Sequence, residues 1–198
     1  MRILDKKKLA FAGLVIAGLS FNLTTTGCLT DSKKDDTTTA PKHTAFATEV
    51  TLDVGAQGAS AGSVIDIDSA KAWDSKTANA NQEKIDLVFM NYGTGFHLDN
   101  AVAAKAAGVA NSINLTNTYD DAKIVSVKIV KVTTKPADQE ALKAAFTAGT
   151  VITGSVVATD DMFIVQSTGG KLALVTVGTI VGSDKTGGAK IKLIINTI

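Results

Sequence analysis

MFIVQSTGGKLALVTVGTIVGSDKTGGAKIKLIINTI, Met162 to Ile198, decides the fold. Three apolar, β-branched runs, Met162 to Ser167, Leu172 to Val181 and Lys190 to Ile198, are separated by Gly169-Gly170 and by a loop through Gly182, Gly187 and Gly188. Glycine takes positive φ at little cost, so Gly-Gly between such runs signals a hairpin, and the succession predicts an antiparallel meander. Toward the N-terminus the period of two recurs. Glu49 to Val54 puts Val50, Leu52 and Val54 on one face. Ser63 to Asp68 repeats the pattern with Ile65 and Ile67 inward and Asp66 and Asp68 outward, and a turn at Asp68-Ser69-Ala70-Lys71 leads into a partner strand carrying Trp73, the sole Trp. Ile85 to Met90 is apolar on both faces after Asp86, which places it centrally in a sheet. Ile124 to Val132 alternates until Val130, where two apolar residues fall together and a bulge would absorb the slip.

Three stretches read as helix. Ser75 to Lys84 has Ser75 as its cap; Asp99 to Ala107 has Asp99 as its cap and Gly108 as its end. Pro136 to Ala148 has Pro in the first turn, Asp138 and Glu140 at the positive end of the dipole, Gly149 as terminator, and Leu142, Ala145 and Phe146 as its buried stripe. The class is α+β: a mostly antiparallel β-sheet or sandwich with two or three short helices, after an N-terminal signal peptide and a flexible tether.

The first residues set an address. Arg2, Lys6, Lys7 and Lys8 precede an apolar run from Leu9 to Leu23, about fifteen residues, too short for a helix across a hydrocarbon core of about 30 Å. It has the order of a secretory signal peptide. Leu23-Thr24-Thr25-Thr26-Gly27-Cys28 follows, with the only Cys of the chain, and resembles the lipobox of bacterial lipoproteins; Thr25 stands where that pattern prefers an aliphatic residue. The resemblance implies cleavage before Cys28, acylation of its thiol and amino group, and membrane attachment without a spanning segment. Leu29, in place of the Asp that marks inner-membrane retention in some bacteria, implies the outer membrane. Leu29 to Thr44, LTDSKKDDTTTAPKHT, has too little apolar surface to repay its ordering. As a coil it would span about 20 to 25 Å. The expected organisation is signal peptide 1–27, lipidated Cys28 with a linker to 45, and one β-rich domain 46–198.

Composition excludes other classes. Once Arg2, Lys6, Lys7, Lys8 and Asp5 are removed, 16 cations, all Lys, face 18 carboxylates. Without the bidentate fork of Arg and without a net positive field, nucleic acid is not an expected partner. The expected partners are the membrane, through the lipid anchor, and a protein or glycan ligand.

Gly62 to Phe89, GSVIDIDSAKAWDSKTANANQEKIDLVF, and Met162 to Ile180 are similar to stretches in uncharacterised lipoproteins and secreted proteins of Gram-negative bacteria, which implies a β-rich extracytoplasmic domain and no known activity. Asp68-Ser69-Ala70 and Asp36-Thr37-Thr38 resemble a short O-glycosylation motif of some Gram-negative phyla.

Catalytic sets do not assemble in the sequence. His43 falls in the tether, so a nucleophilic triad or a histidine metal site would rest on His97 alone. Tyr92-Gly93-Thr94-Gly95-Phe96-His97 reads as a Gly-bearing loop between strand and helix, but Leu98 stands where a dinucleotide fingerprint needs its last Gly. Asp66-Ile67-Asp68-Ser69 starts like a calcium loop, then departs at Ala70, Lys71 and Thr77; alternating Asp on a wet strand face accounts for it. Asp120-Asp121 and Asp160-Asp161 read as turn residues. Trp73, Tyr92, Phe96 and Tyr119 are the aromatics that could form a glycan platform. The expectation is a lipid-anchored, non-enzymatic structural or binding module of the cell envelope, with Cys28 as the lipidation site, Trp73, Tyr92 and His97 as candidate ligand contacts, and no catalytic residue, metal or cofactor. The alternatives are an envelope hydrolase using Asp residues with His97, and a calcium- or glycan-binding adhesion domain.

Overall fold

Apolar runs buried on both sides need two layers of cover, and the chain supplies them with helices outside and a second sheet inside. The computed structural model of the chain describes residues 44–46, 49–56, 61–108, 119–183 and 187–195. They belong to one compact unit, Ala40–Ile198. The expected signal peptide, Cys28 and the tether as far as His43 lie outside the described residues.

In chain order the elements are β1 (Glu49–Gly55), β2 (Val64–Asp66), β3 (Lys71–Trp73), α1 (Ser75–Ala80), a 3-10 turn (Gln82–Lys84), β4 (Leu87–Asn91), β5 (Phe96–Asp99), α2 (Ala101–Gly108), β6 (Lys128–Val132), α3 (Gln139–Ala148), β7 (Val151–Ile152), β8 (Gly154–Val156), β9 (Met162–Gln166), β10 (Leu172–Val181) and β11 (Gly188–Ile195). One sheet has the order β1-β11-β10-β9-β6-β7 and the other β3-β2-β4-β5-β8. Every strand pair described is antiparallel. The expected meander is β9-β10-β11, and Ile85 to Met90 supplies β4, the middle strand of five.

Side-chain alternation builds three cores. Ile65, Leu87, Phe89 and Leu98 face Phe163, Val165, Val175 and Ile191 between the sheets. Their neighbours point the other way: Val64, Val88 and Met90 pack under Ala78 of α1 and Ala101 and Ala104 of α2. Ile164, Leu174 and Ile194 pack under Leu142, Ala145 and Phe146 of α3, the expected stripe. The layers therefore run helix, sheet, sheet, helix, an α+β sandwich. Among the described residues no helix is long and apolar enough to cross a membrane.

Several local expectations are corrected. The strand expected from Ile124 begins only at Lys128, and Val130 marks no bulge, since β6 pairs with β9 in unbroken register from Lys128 to Val132. Ile129 and Val130 are both apolar because both faces of β6 are buried. A register shift falls instead between Val177 and Ile180, in the β10–β11 pairing. Asp74 rather than Ser75 caps α1, accepting from Thr77 N at 2.7 Å. Asn100 rather than Asp99 caps α2, its Oδ1 accepting from Ala103 N at 2.8 Å. The third helix starts at Gln139, after its cap Asp138. Gly149 ends it with φ −79°, which any residue could adopt; a Cβ there would lie 2.1 Å from Val130 Cγ1, so space selects the glycine.

Candidate functional site

β5 sends Phe96 and Leu98 into the inter-sheet core, which turns His97 and Asp99 toward the helix-covered face. The expected loop is a tight hairpin instead, and His97 is a strand residue paired with Met90. Gly93 and Gly95 hold φ of 86° and 135°, the left-handed values the turn requires, and Gly93 N donates to Asn91 Oδ1 at 2.7 Å. The turn folds Tyr92 back over His97, with ring centroids 4.4 Å apart.

Behind the rings, the Tyr92 hydroxyl donates to Asp99 Oδ2, and His97 Nδ1 lies 3.9 Å from Asp99 Oδ1. Burial holds the Asp99 carboxyl above the usual range, against the Tyr92 hydrogen bond. Burial and the Asp99 carboxylate together push the Tyr92 hydroxyl well above its ordinary value. Gly154 of the edge strand β8 leaves room for this carboxylate: a Cβ there would lie 1.8 Å from Asp99 Oδ1. The Asp99–His97 pair has the outline of a catalytic dyad, yet His97 Nε2, the nitrogen a base would present to substrate, is buried with no partner among the described residues.

Trp73 does not join Tyr92 and His97. It pairs with Val64, Val64 with Val88, and Val88 with Asp99, so three strand spacings of about 4.8 Å separate its backbone from that of Asp99. Trp73 and Tyr92 both pack against the helix-side core, and Tyr119 is buried within it. Phe96 stacks on Phe89 in the inter-sheet core, so neither Phe96 nor Tyr119 forms a surface platform.

A second constellation was not legible as one. Asp66, expected on a wet face, is only 2% exposed, and Asp86 is fully buried. The helix layer covers the side of β2 that carries Asp66, and the turn after β2 supplies its partners: Ser69 N at 3.1 Å and Ser69 Oγ at 2.6 Å. Asp86 Oδ2 accepts from Ile67 N at 2.7 Å, and its Oδ1 accepts from Thr168 N at 2.6 Å. Asp68 accepts from Ser167 Oγ at 2.8 Å and from Gly169 N at 2.7 Å, with Lys171 Nζ 3.7 Å away. Gly169 is required by that approach, since a Cβ would lie 2.4 Å from Asp68 Oδ2; Gly170 is the residue with positive φ.

Asp68 and Asp86 thus fasten the β2–β3 turn of one sheet to the β9–β10 turn of the other, while Asp66 braces the β2–β3 turn through Ser69. One ligand oxygen from each lies within 4.8 Å of the others, so among the described residues this is the group that could hold a hard cation. Among the described residues each of the six oxygens accepts one hydrogen bond, and a carboxylate oxygen has a second lone pair. Burial pushes the Asp86 carboxyl up to about 6; Asp68 and Asp66 add to that, while the Thr168 and Ile67 amides oppose it. A pocket of about 560 Å³ opens beside the group, lined by Asp68, Ser69, Glu83, Lys84, Thr168 and Lys171 among others. The signal available in the sequence was Asp66-x-x-Ser69, an Asx-type turn that turns a carboxylate back onto its own backbone.

A scan against protein-family models finds none that matches the chain, and a search of curated proteins returns no match.

Proposed function

We propose that this is a lipid-anchored β-sandwich module of the cell envelope, held at the outer membrane through Cys28 and serving as a structural or binding component without catalytic chemistry. The observation that carries the proposal is the order of residues at the start of the chain: cations, a short apolar run, Gly27 and then the sole Cys28. Two or three acyl chains on one residue meet the two-signal requirement for stable anchoring. A body whose candidate catalytic groups are turned inward supports it. His97 Nε2 is buried, Asp99 is bonded to Tyr92, and of the clustered aspartates Asp68 and Asp86 join two turns while Asp66 braces one of them.

Fractionation of cells expressing the wild-type chain and Cys28→Ser tests it. The wild-type protein is expected in the detergent phase of the membrane fraction, and the variant in the aqueous phase. Equal partitioning would overturn the anchor. The hydrolase alternative wins if His97→Ala abolishes a measured turnover while the melt stays unchanged. A melting temperature that rises with calcium makes the aspartate group a cation site.

A further inference from the structure

The chain that enters the domain is fastened to α3 before it reaches β1. Thr44 O accepts from Gln139 N at 3.2 Å, and Thr44 N and Oγ1 donate to Glu140 Oε2 and Oε1 at 3.2 and 3.0 Å. Gln139 Nε2 donates to Ala45 O at 2.7 Å, and Phe46 packs into the core beneath α3. Thr44 and Ala45, expected as the last residues of the flexible tether, are ordered by these partners.

The two ends of α3 are held differently. At the C-terminal end Gly149 lies directly against Val130, where an added Cβ would come within 2.1 Å of Val130 Cγ1. At the N-terminal end the Thr44–Glu140 bonds are exposed. Gln139 Oε1 is buried with no partner among the described residues, so water would satisfy on opening what the closed state leaves bare. Between the ends, Leu142 is the helix's one fully buried apolar side chain. Few buried contacts and exposed bonds are the conditions for local opening below the global stability.

We propose that Thr44–Phe46 is a releasable strap. While it is seated, α3 covers Ile164, Leu174 and Ile194; when it lets go, α3 swings about Gly149 and uncovers that apolar strip of the six-stranded sheet. The residues upstream lead back to Cys28, so a pull or a cut in that segment is read out at α3. Only the source of the pull rests on the anchor proposed above. The latch stands without it.

Hydrogen exchange measured by mass spectrometry on the full chain tests the strap independently of acylation. Phe46→Ala and Glu140→Ala are compared with wild type, with Lys143→Ala as an exposed control on the same helix. The expected result is exchange about tenfold faster across α3 in Phe46→Ala and severalfold faster in Glu140→Ala, with β10 amides and the Lys143→Ala variant at wild-type rates. Thr44→Val, which removes only the hydroxyl donor, is expected to move α3 in the same direction by less. Parallel acceleration of α3 and β10 would overturn the proposal, because α3 would then open only with the whole domain. So would wild-type protection of α3 in both strap variants. If Phe46→Ala does not fold, Glu140→Ala and Thr44→Val decide by the same criteria.

Discussion

Replacing Asp86 by asparagine should remove a pH dependence that one buried carboxyl imposes on the whole domain. Asp86 is fully buried and its carboxyl is raised from 3.8 to about 6, with burial as the largest cause. A group raised in the folded state contributes stability that is fully present below its unfolded value and is lost as pH rises through the folded one. The shift of about 2 units at 1.36 kcal/mol each makes this on the order of 3 kcal/mol, lost between about pH 4 and 7. Protonation removes the charge that burial and the neighbouring Asp68 and Asp66 disfavour, while the carboxyl keeps its place between Ile67 N and Thr168 N. The substituted carboxamide cannot ionise, but it has one acceptor for two amides, so one buried N–H is orphaned at a cost of about 1 to 3 kcal/mol at every pH. Urea unfolding followed by the fluorescence of Trp73 between pH 4.5 and 7.5 separates the two effects. Wild type should beat Asp86→Asn at pH 4.5 and lose most of that advantage by pH 7.5, with about 2 kcal/mol of the total falling in this range and the gap closing by roughly 0.7 to 2 M urea in midpoint. Parallel midpoints across the range would refute the reasoning, because the other titrating groups are common to both proteins.

Two further perturbations probe the cores. Gly154→Ala places a methyl 1.8 Å from Asp99 Oδ1, so the carboxylate must move and its bond from Tyr92 breaks; the expected loss is about 1 to 3 kcal/mol, and an alkaline absorbance titration should show one of the two tyrosines ionising at lower pH than in wild type. An unchanged melt and titration would show that Gly154 is not the room Asp99 needs. Phe163→Ala empties the inter-sheet core beneath Lys131, whose Nζ lies 5.6 Å from the ring centroid. The expected cost is about 3 to 5 kcal/mol, a melt lower by roughly 6 to 20 °C, checked by calorimetry.

Legibility followed contact range. The meander, the central place of β4 and the stripe of α3 were readable because each is encoded by residues within one short run. β5 was hidden because Gly93-Thr94-Gly95 looks like open loop, and only its pairing with β4 makes a strand of the four residues after it. β7 and β8 span two and three residues, too few to show a period. The aspartate group was unreadable for a different reason. Its bonds join residues 82 and 101 positions apart, and an acidic residue beside isoleucine reads as a wet face until a second layer is laid over it. The same holds for Tyr92 and His97, which share a corner, and Trp73, which does not; strand order assigned them, and nothing local to any of the three residues does.

Intact-mass analysis of the mature protein recovered from envelopes tests the anchor most directly. A polypeptide beginning at Cys28 and heavier than its sequence by two or three fatty acyl chains with their glycerol is the predicted result. A chain that still carries residues 1–27, or one beginning at Cys28 with no lipid mass, would contradict it.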